Sequence, residues 1–164
     1  MALEKTLVLI KPDGVKRGLM GRILSRFEDA GMKIVGMKMR NVPEEHALKH
    51  YTEDITVRRG ERVRTMLVDF LKSGPVLAFA VEGVNAIENV RKIVGATEPK
   101  SAAPGTIRGD FSHVSFSHAD EQGKVVENLI HASADKNDAE REVWLWFNED
   151  ELSDYKLAHE GHTL

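Results

Sequence analysis

With 164 residues, 41% hydrophobic and 30% charged, the chain is long enough for one domain with a sizeable core, spanning 1–164, and too short for two. A formal charge of -3 excludes an overall field that gathers polyanions, so any phosphate binding has to come from a local group of Lys and Arg. The lack of cysteine excludes disulfides, thiolate metal ligands and a cysteine nucleophile, and no signal-like or membrane-length apolar stretch occurs, so a cytoplasmic location is the expectation.

Thr6-Leu7-Val8-Leu9-Ile10 is an apolar run rich in branched residues and reads as a buried strand, ended by Lys11-Pro12-Asp13-Gly14. Residues 20–30 repeat Ile23, Leu24 and Phe27 on one helical face, with Gly31 as C-cap. Residues 33–42 alternate as a second strand, and Pro43-Glu44-Glu45 opens a helix. Residues 61–72 predict another helix, 76–81 a third strand and 85–94 a helix with Ile87, Val90, Ile93 and Val94 inward. The Pro/Gly-rich stretch 95–109 is too irregular for helix or strand, and long connectors of this kind are often functional. Residues 112–124 read as a solvated excursion, 125–131 as the last strand, 139–147 as a helix and 152–164 as a loose tail. This order predicts an antiparallel sheet with helices on one face.

No G-x-x-x-x-G-K-[S/T] or G-x-G-x-x-G loop occurs, and seven histidines without H-E-x-x-H give no protein-built zinc site; His159 and His162 fall in the polar tail. Four places gather polar groups beside apolar elements. Lys11 ends the first strand, either as a point charge aimed at a site or as a snorkelling cation. Arg91, Thr97 and Arg108 flank the long loop, where guanidinium forks suit a polyphosphate but also suit water or carboxylates. His131 closes an apolar strand, as a structural residue or as a nucleophile. Strict alternation puts Leu129 and His131 on one face and Asn128 and Ile130 on the other, unless the backbone bends. Asp138, Glu140 and Glu142 follow, able to fix the imidazole tautomer or simply to complement a helix dipole. A His131-Ser133-Asp135 hydrolase triad lacks an evident oxyanion site and is rejected.

Ile10-Lys11-Pro12-Asp13-Gly14-Val15 with Arg17-Gly18, Ser73-Gly74-Pro75-Val76, Pro104-Gly105-Thr106-Ile107-Arg108-Gly109-Asp110-Phe111 and Asn128-Leu129-Ile130-His131-Ala132-Ser133 resemble, in order, the signatures of nucleoside diphosphate kinases. The resemblance covers nearly the whole chain. It implies a ferredoxin-like αβ-sandwich of the α+β class, with helices packed on a four-stranded antiparallel sheet. It also implies γ-phosphate transfer between nucleoside tri- and diphosphates, by a ping-pong route through a phosphohistidine, with broad base tolerance. By matching, His131 is the nucleophile, Glu142 orients it, and Ser133 and Tyr51 lie close by. Lys11, Arg91, Thr97, Arg108 and Asn128 hold phosphates and sugar, and Leu67 and Val63 contact the base. Mg²⁺ enters with the nucleotide, held by phosphates and water rather than by protein ligands. A homo-oligomer built from dimers, tetramer or hexamer, is implied as well.

The chain departs from that pattern in three places. The segment 51–73 is longer and lacks the family's Phe-Phe pair, so that Val63 falls near the usual stacking phenylalanine. The connection 110–128 is longer too, and Ala132 and Ala134 stand where many members have Gly and Asp. Two rivals follow: a catalytically weak nucleotide-binding regulatory protein on the same fold, and a nucleic-acid module. The weak acidity and the missing aromatic RNA signature speak against specific nucleic-acid binding.

Overall fold

The computed structural model describes residues 3–164. Four strands, β1 (Leu3–Ile10), β2 (Lys33–Arg40), β3 (Val76–Val84) and β4 (Ile130–Ala132), form one sheet in the order β2-β3-β1-β4. Every neighbouring pair is antiparallel. The helices are α1 (Pro12–Lys16), α2 (Met20–Asp29), α3 (Glu44–His50), α4 (Glu53–Arg59), α5 (Glu61–Lys72), α6 (Ala86–Val94), α7 (Ile107–Phe111), α8 (Phe116–Glu121), α9 (Lys136–Trp146) and α10 (Glu160–Thr163). This is the α+β sandwich that the resemblance implies. None of these helices is long and apolar enough to cross a membrane.

The helices cover both faces of the sheet, correcting the one-face expectation. Val8 and Ile10 pack with Ile23 and Phe27 of α2 and Val90 of α6, while Leu7 and Leu9 pack with Leu71 of α5 and Val143 and Trp146 of α9. The signal was present in β1 and β3. Leu7 to Ile10 and Val76 to Val81 are apolar without a break and buried throughout, as strands covered on both faces must be.

Gly31 does close α2: it takes φ +79, its N–H donates to the Glu28 carbonyl and Met32 N–H to that of Phe27, a Schellman motif. The stretch 95–109, expected to be irregular, holds a 3-10 turn (Pro99–Ser101) and the start of α7, where Thr106 Oγ1 accepts from Gly109 N–H. Gly109 has no substitute, because a Cβ there would collide with the Ala103 carbonyl. The supposed solvated excursion contains α8, with Ala119 buried. The tail is not loose. Tyr155 Oη donates to the Ile34 carbonyl at 2.6 Å, and Lys33 Nζ lies 2.9 Å from Glu160, so the tail runs along β2. The helix expected over 139–147 begins at Lys136, because Asp135 caps it by accepting from Asp138 N–H at 2.9 Å.

The largest difference lies in the last strand, expected over 125–131. Only Ile130 to Ala132 pair with β1, because the chain makes a tight turn at Leu129. Leu129 has φ +72, and Ile130 N–H donates back to the Asn128 carbonyl at 2.8 Å, a γ-turn in a costly backbone region. Lys11 N–H donates to the Leu129 carbonyl at 2.8 Å and Asp13 Oδ2 accepts from Leu129 N–H at 2.9 Å, which hold the strained residue in position. The bend breaks the two-residue alternation and releases Asn128 from the face on which that alternation would put it.

Candidate active site

The register of the sheet assembles the centre of the site. Leu9 of β1 is opposite His131 of β4, so His131 shares a face with Leu7, Leu9 and, one step past the strand end, Lys11. That face carries the core of α3, α5 and α9, and beyond the last apolar pair it opens into a cleft of about 620 Å³. Lys11, Tyr51, Val63, Leu67, Arg91, Thr97, Arg108, Asn128, His131 and Glu142 all line this cleft. Of the site residues expected from sequence, only Ser133 lies behind the wall, fully buried.

Beneath His131 lies a carboxylate. His131 Nε2–H donates to Glu142 Oε2 at 2.8 Å, and Ser133 Oγ–H donates to the same oxygen at 2.7 Å while accepting from Leu7 N–H at 3.3 Å. Burial pushes the Glu142 carboxyl up, but the charge and hydrogen bond of His131, helped by Ser133, prevail and hold it down at about 2. An ionised Glu142 has no proton to give, so the imidazole must be the donor. Its Nδ1 is left with no protein partner among the described residues, on a side chain 20% exposed to the cleft. Asp135 is spent on capping α9, which removes the hydrolase triad. The carboxylate that reaches the cleft from the first turn of α9 is Asp138, one turn beyond Ala134.

Lys11, Asn128 and Arg108 form the cationic wall. Lys11 Nζ donates to Asn128 Oδ1 at 2.8 Å, and Asn128 Nδ2 donates to the Thr97 carbonyl at 2.8 Å. Arg108 donates to the carbonyls of Asn128 at 3.2 Å, Gly95 at 3.1 Å and Ile130 at 2.6 Å, pinning the long loop to the γ-turn. Burial first, then the charge of Arg108, brings Lys11 from its usual 10.5 to about 7. By contrast Arg59, Arg62 and Arg91 line the cleft without a protein hydrogen bond or ion pair among the described residues. Tyr51 Oη is buried and unpartnered, and burial keeps the phenol protonated. Free guanidinium groups and an unused buried hydroxyl around a carboxylate-oriented histidine suit an anionic, phosphate-bearing substrate.

Sequence reasoning missed His50. Its ring stands edge-on to that of His131 with centroids 4.5 Å apart, and its Nδ1 accepts from Trp146 Nε1–H at 3.1 Å. Burial, then His131, lowers its pKa well below the usual histidine value, so it stays neutral. His50, His131 and Glu142 bring their ligand atoms within 4.8 Å of one another. The cluster does not fit a resident metal, because Trp146 takes the one free lone pair of His50 and leaves Nε2 protonated. The pairing of His50 with Trp146 across 96 residues has no local sequence signal. Phe116 was missed as well, a lone aromatic in a polar run.

A cationic cleft with a free imidazole nitrogen on a ferredoxin-like sheet defines a phosphate-handling enzyme, and known proteins name the class more closely. A family model for nucleoside diphosphate kinase matches residues 4–152. A nucleoside diphosphate kinase of Borreliella burgdorferi is 53% identical over 161 residues, covering 98% of this chain and 96% of the relative. One from Pyrococcus furiosus is 48% identical, covering 95% and 90%. Among solved structures, a transition-state mimic of the nucleoside-diphosphate kinase from Borrelia burgdorferi, with vanadate and ADP bound, superposes with a TM-score of 0.96. It is 51% identical, and the match covers 98% of this chain and 96% of that one. The chain belongs to the nucleoside diphosphate kinase family and is a nucleotide phosphotransferase.

Proposed function

We propose that the protein moves the terminal phosphate of a nucleoside triphosphate to a nucleoside diphosphate through a phosphorylated His131, in a ping-pong sequence. The observation that carries this reading is the 2.8 Å hydrogen bond from His131 Nε2–H to Glu142, which leaves the Nδ1 lone pair free in the cleft. In the first half-reaction Nδ1 attacks the γ-phosphorus, and the bond to the β,γ-bridging oxygen breaks with its electron pair leaving on the diphosphate. Glu142 balances the positive charge that this puts on the imidazole, while Ser133 fixes the carboxylate. A β-phosphate oxygen of the second nucleotide then attacks phosphorus, and the P–N electron pair returns to Nδ1. Lys11, Arg91 and Arg108 neutralise charge on the transferred group, Tyr51 offers its unused hydroxyl, and Thr97 and Asn128 hold phosphate and sugar. Val63 and Leu67 contact the base without reading its edge, which gives broad tolerance.

Mg²⁺ fits this site as part of the nucleotide complex. The cleft offers more cations than carboxylates, so the ion would keep phosphate and water ligands, and Asp138 is one of the cleft acids that could bind such a water. Bound in this way, it supplies neutralisation of phosphate charge. A homo-oligomer built from dimers, tetramer or hexamer, is in keeping with the edge strand β2, whose Met37 and Met39 are exposed.

The test is incubation of wild type and His131→Ala with γ-labelled ATP and Mg²⁺, then a chase with GDP. Acid-labile, alkali-stable label on wild type alone, passing to GTP, is the expected result. Nucleotide binding without label would leave a binding protein on the same fold; label on the variant would move the nucleophile to another histidine.

A further inference from the structure

We propose that Phe116 is the stacking platform for the nucleobase, resting on the reading that the cleft binds nucleotides. Phosphate binding at the inner end leaves the base at the outer end, where Val63 and Leu67 of α5 supply only aliphatic surface. Tyr51 lines the cleft too, but its ring is buried at the inner end and packs edge-on against His50, with centroids 4.8 Å apart. Phe116 is therefore the one phenyl or indole ring available at the outer end among the described residues. Its side of the cleft is a consistent helix face: Phe116, Ala119 and Asp120, at i, i+3 and i+4, all line it.

The helix that carries the ring is also held in place. Ser115 Oγ caps α8 by accepting from His118 N–H at 3.2 Å, Phe116 N–H donates to Glu98 Oε1 at 2.9 Å, and Lys100 N–H donates to the Val114 carbonyl at 3.0 Å. Glu98 follows Thr97, whose carbonyl holds Asn128, so the platform is tied through one loop to the phosphate wall. Phe116 itself remains 36% exposed, an apolar ring that no other part of the chain covers completely. A partly exposed phenyl ring that lines the cleft on a braced helix can stack any base, and gains more from a purine than from a pyrimidine because the overlap is larger.

Wild type, Phe116→Ala and Phe116→Tyr would be compared with GDP and UDP as acceptors, and with ribose 5-triphosphate as a base-free phosphate donor. ADP binding to each protein would be measured separately by calorimetry. In Phe116→Ala the KM for GDP should rise about ten-fold or more and that for UDP by less, with kcat little changed. Phosphorylation by ribose 5-triphosphate should stay as in wild type, and Phe116→Tyr should remain within about two-fold throughout. An unchanged KM for GDP, or an equal loss with the base-free donor, would overturn the proposal. Should wild type take up no label from any donor, the phosphohistidine reading fails. The ratio of ADP affinities then decides the platform alone: about ten-fold weaker binding in Phe116→Ala supports it, and equal binding ends it.

Discussion

The two ends of the cleft are built differently. At the inner end Lys11, Arg108, Asn128, Ser133 and Glu142 are all buried, and each is tied by hydrogen bonds to β1, β4, the 95–109 loop, α9 or the turn at Asn128 and Leu129. At the outer end α4 has no buried residue, and the side chains of Arg59 and Arg62 make no hydrogen bond or ion pair among the described residues. Groups that position a reacting phosphorus need sub-ångström control, which a fold can provide only by over-determining them. Groups that receive varied bases need reach more than precision. Substitutions should therefore lower rate and stability together at the inner end, and affinity alone at the outer end.

Arg108→Ala should produce the largest effect. It removes three hydrogen bonds and leaves the carbonyls of Gly95, Asn128 and Ile130 short of a donor, so a loss of roughly 3 kcal/mol or more is expected. Thermal unfolding together with turnover checks this. A variant that melts like wild type would break the idea that the inner wall is structural as well as catalytic. Glu142→Gln comes next. Losing a charge-assisted hydrogen bond worth about 2 kcal/mol should lower kcat by about 10- to 100-fold and leave the nucleotide KM near its original value. An unchanged kcat would mean that the tautomer of His131 does not depend on that carboxylate.

Lys11 sharpens the comparison through pH. The folded protein lets its proton go near 7, whereas the unfolded chain keeps it until 10.5. Between these values the unfolded state binds more protons, so this residue makes stability rise with pH across that window. A bound phosphate favours the charged form. Nucleotide binding should then take up about one proton per site near pH 8, and affinity should weaken as pH climbs past 7. Calorimetry of ADP binding in buffers of different ionisation heat reads the uptake, which Lys11→Met should abolish. Binding heats that ignore the buffer would show that Lys11 is already charged before the ligand arrives.

What could be read beforehand follows from range. The first three strands, the amphipathic helices α2, α5 and α6, and Gly31 at the end of α2 are legible because each is decided within a few residues. The resemblance then assigned His131, Lys11, Arg108 and Asn128, and the structure brings all four to one cleft. Periodicity alone would have misdirected Asn128, since the γ-turn at Leu129 is held by Lys11 and Asp13 from the far end of the chain. The second helical layer went unread although the unbroken apolar runs of β1 and β3 announced it. Phe116 and His50 were hidden for another reason. Each matters through a partner distant in sequence, Glu98 for the one and Trp146 for the other, and neither partner leaves a local pattern.

Arg58→Ala should have the smallest effect, and it tests the contrast from its other side. Arg58 lines the outer cleft and pairs with Asp54 at 2.6 Å one turn away, yet the two side chains are 62% and 63% exposed. An exposed i,i+4 pair contributes about 0.3–0.5 kcal/mol, which is near the limit of a denaturant melt. Stability and kcat should be unchanged. Any effect should be a modest rise in nucleotide KM that salt erases, since the group is wet and screened over about 8–10 Å at ordinary ionic strength. If Arg58→Ala instead cuts kcat while KM holds, α4 contributes to the transition state and not only to capture. The outer end would then share the work of the inner one, and the division between them would have to be redrawn at α5.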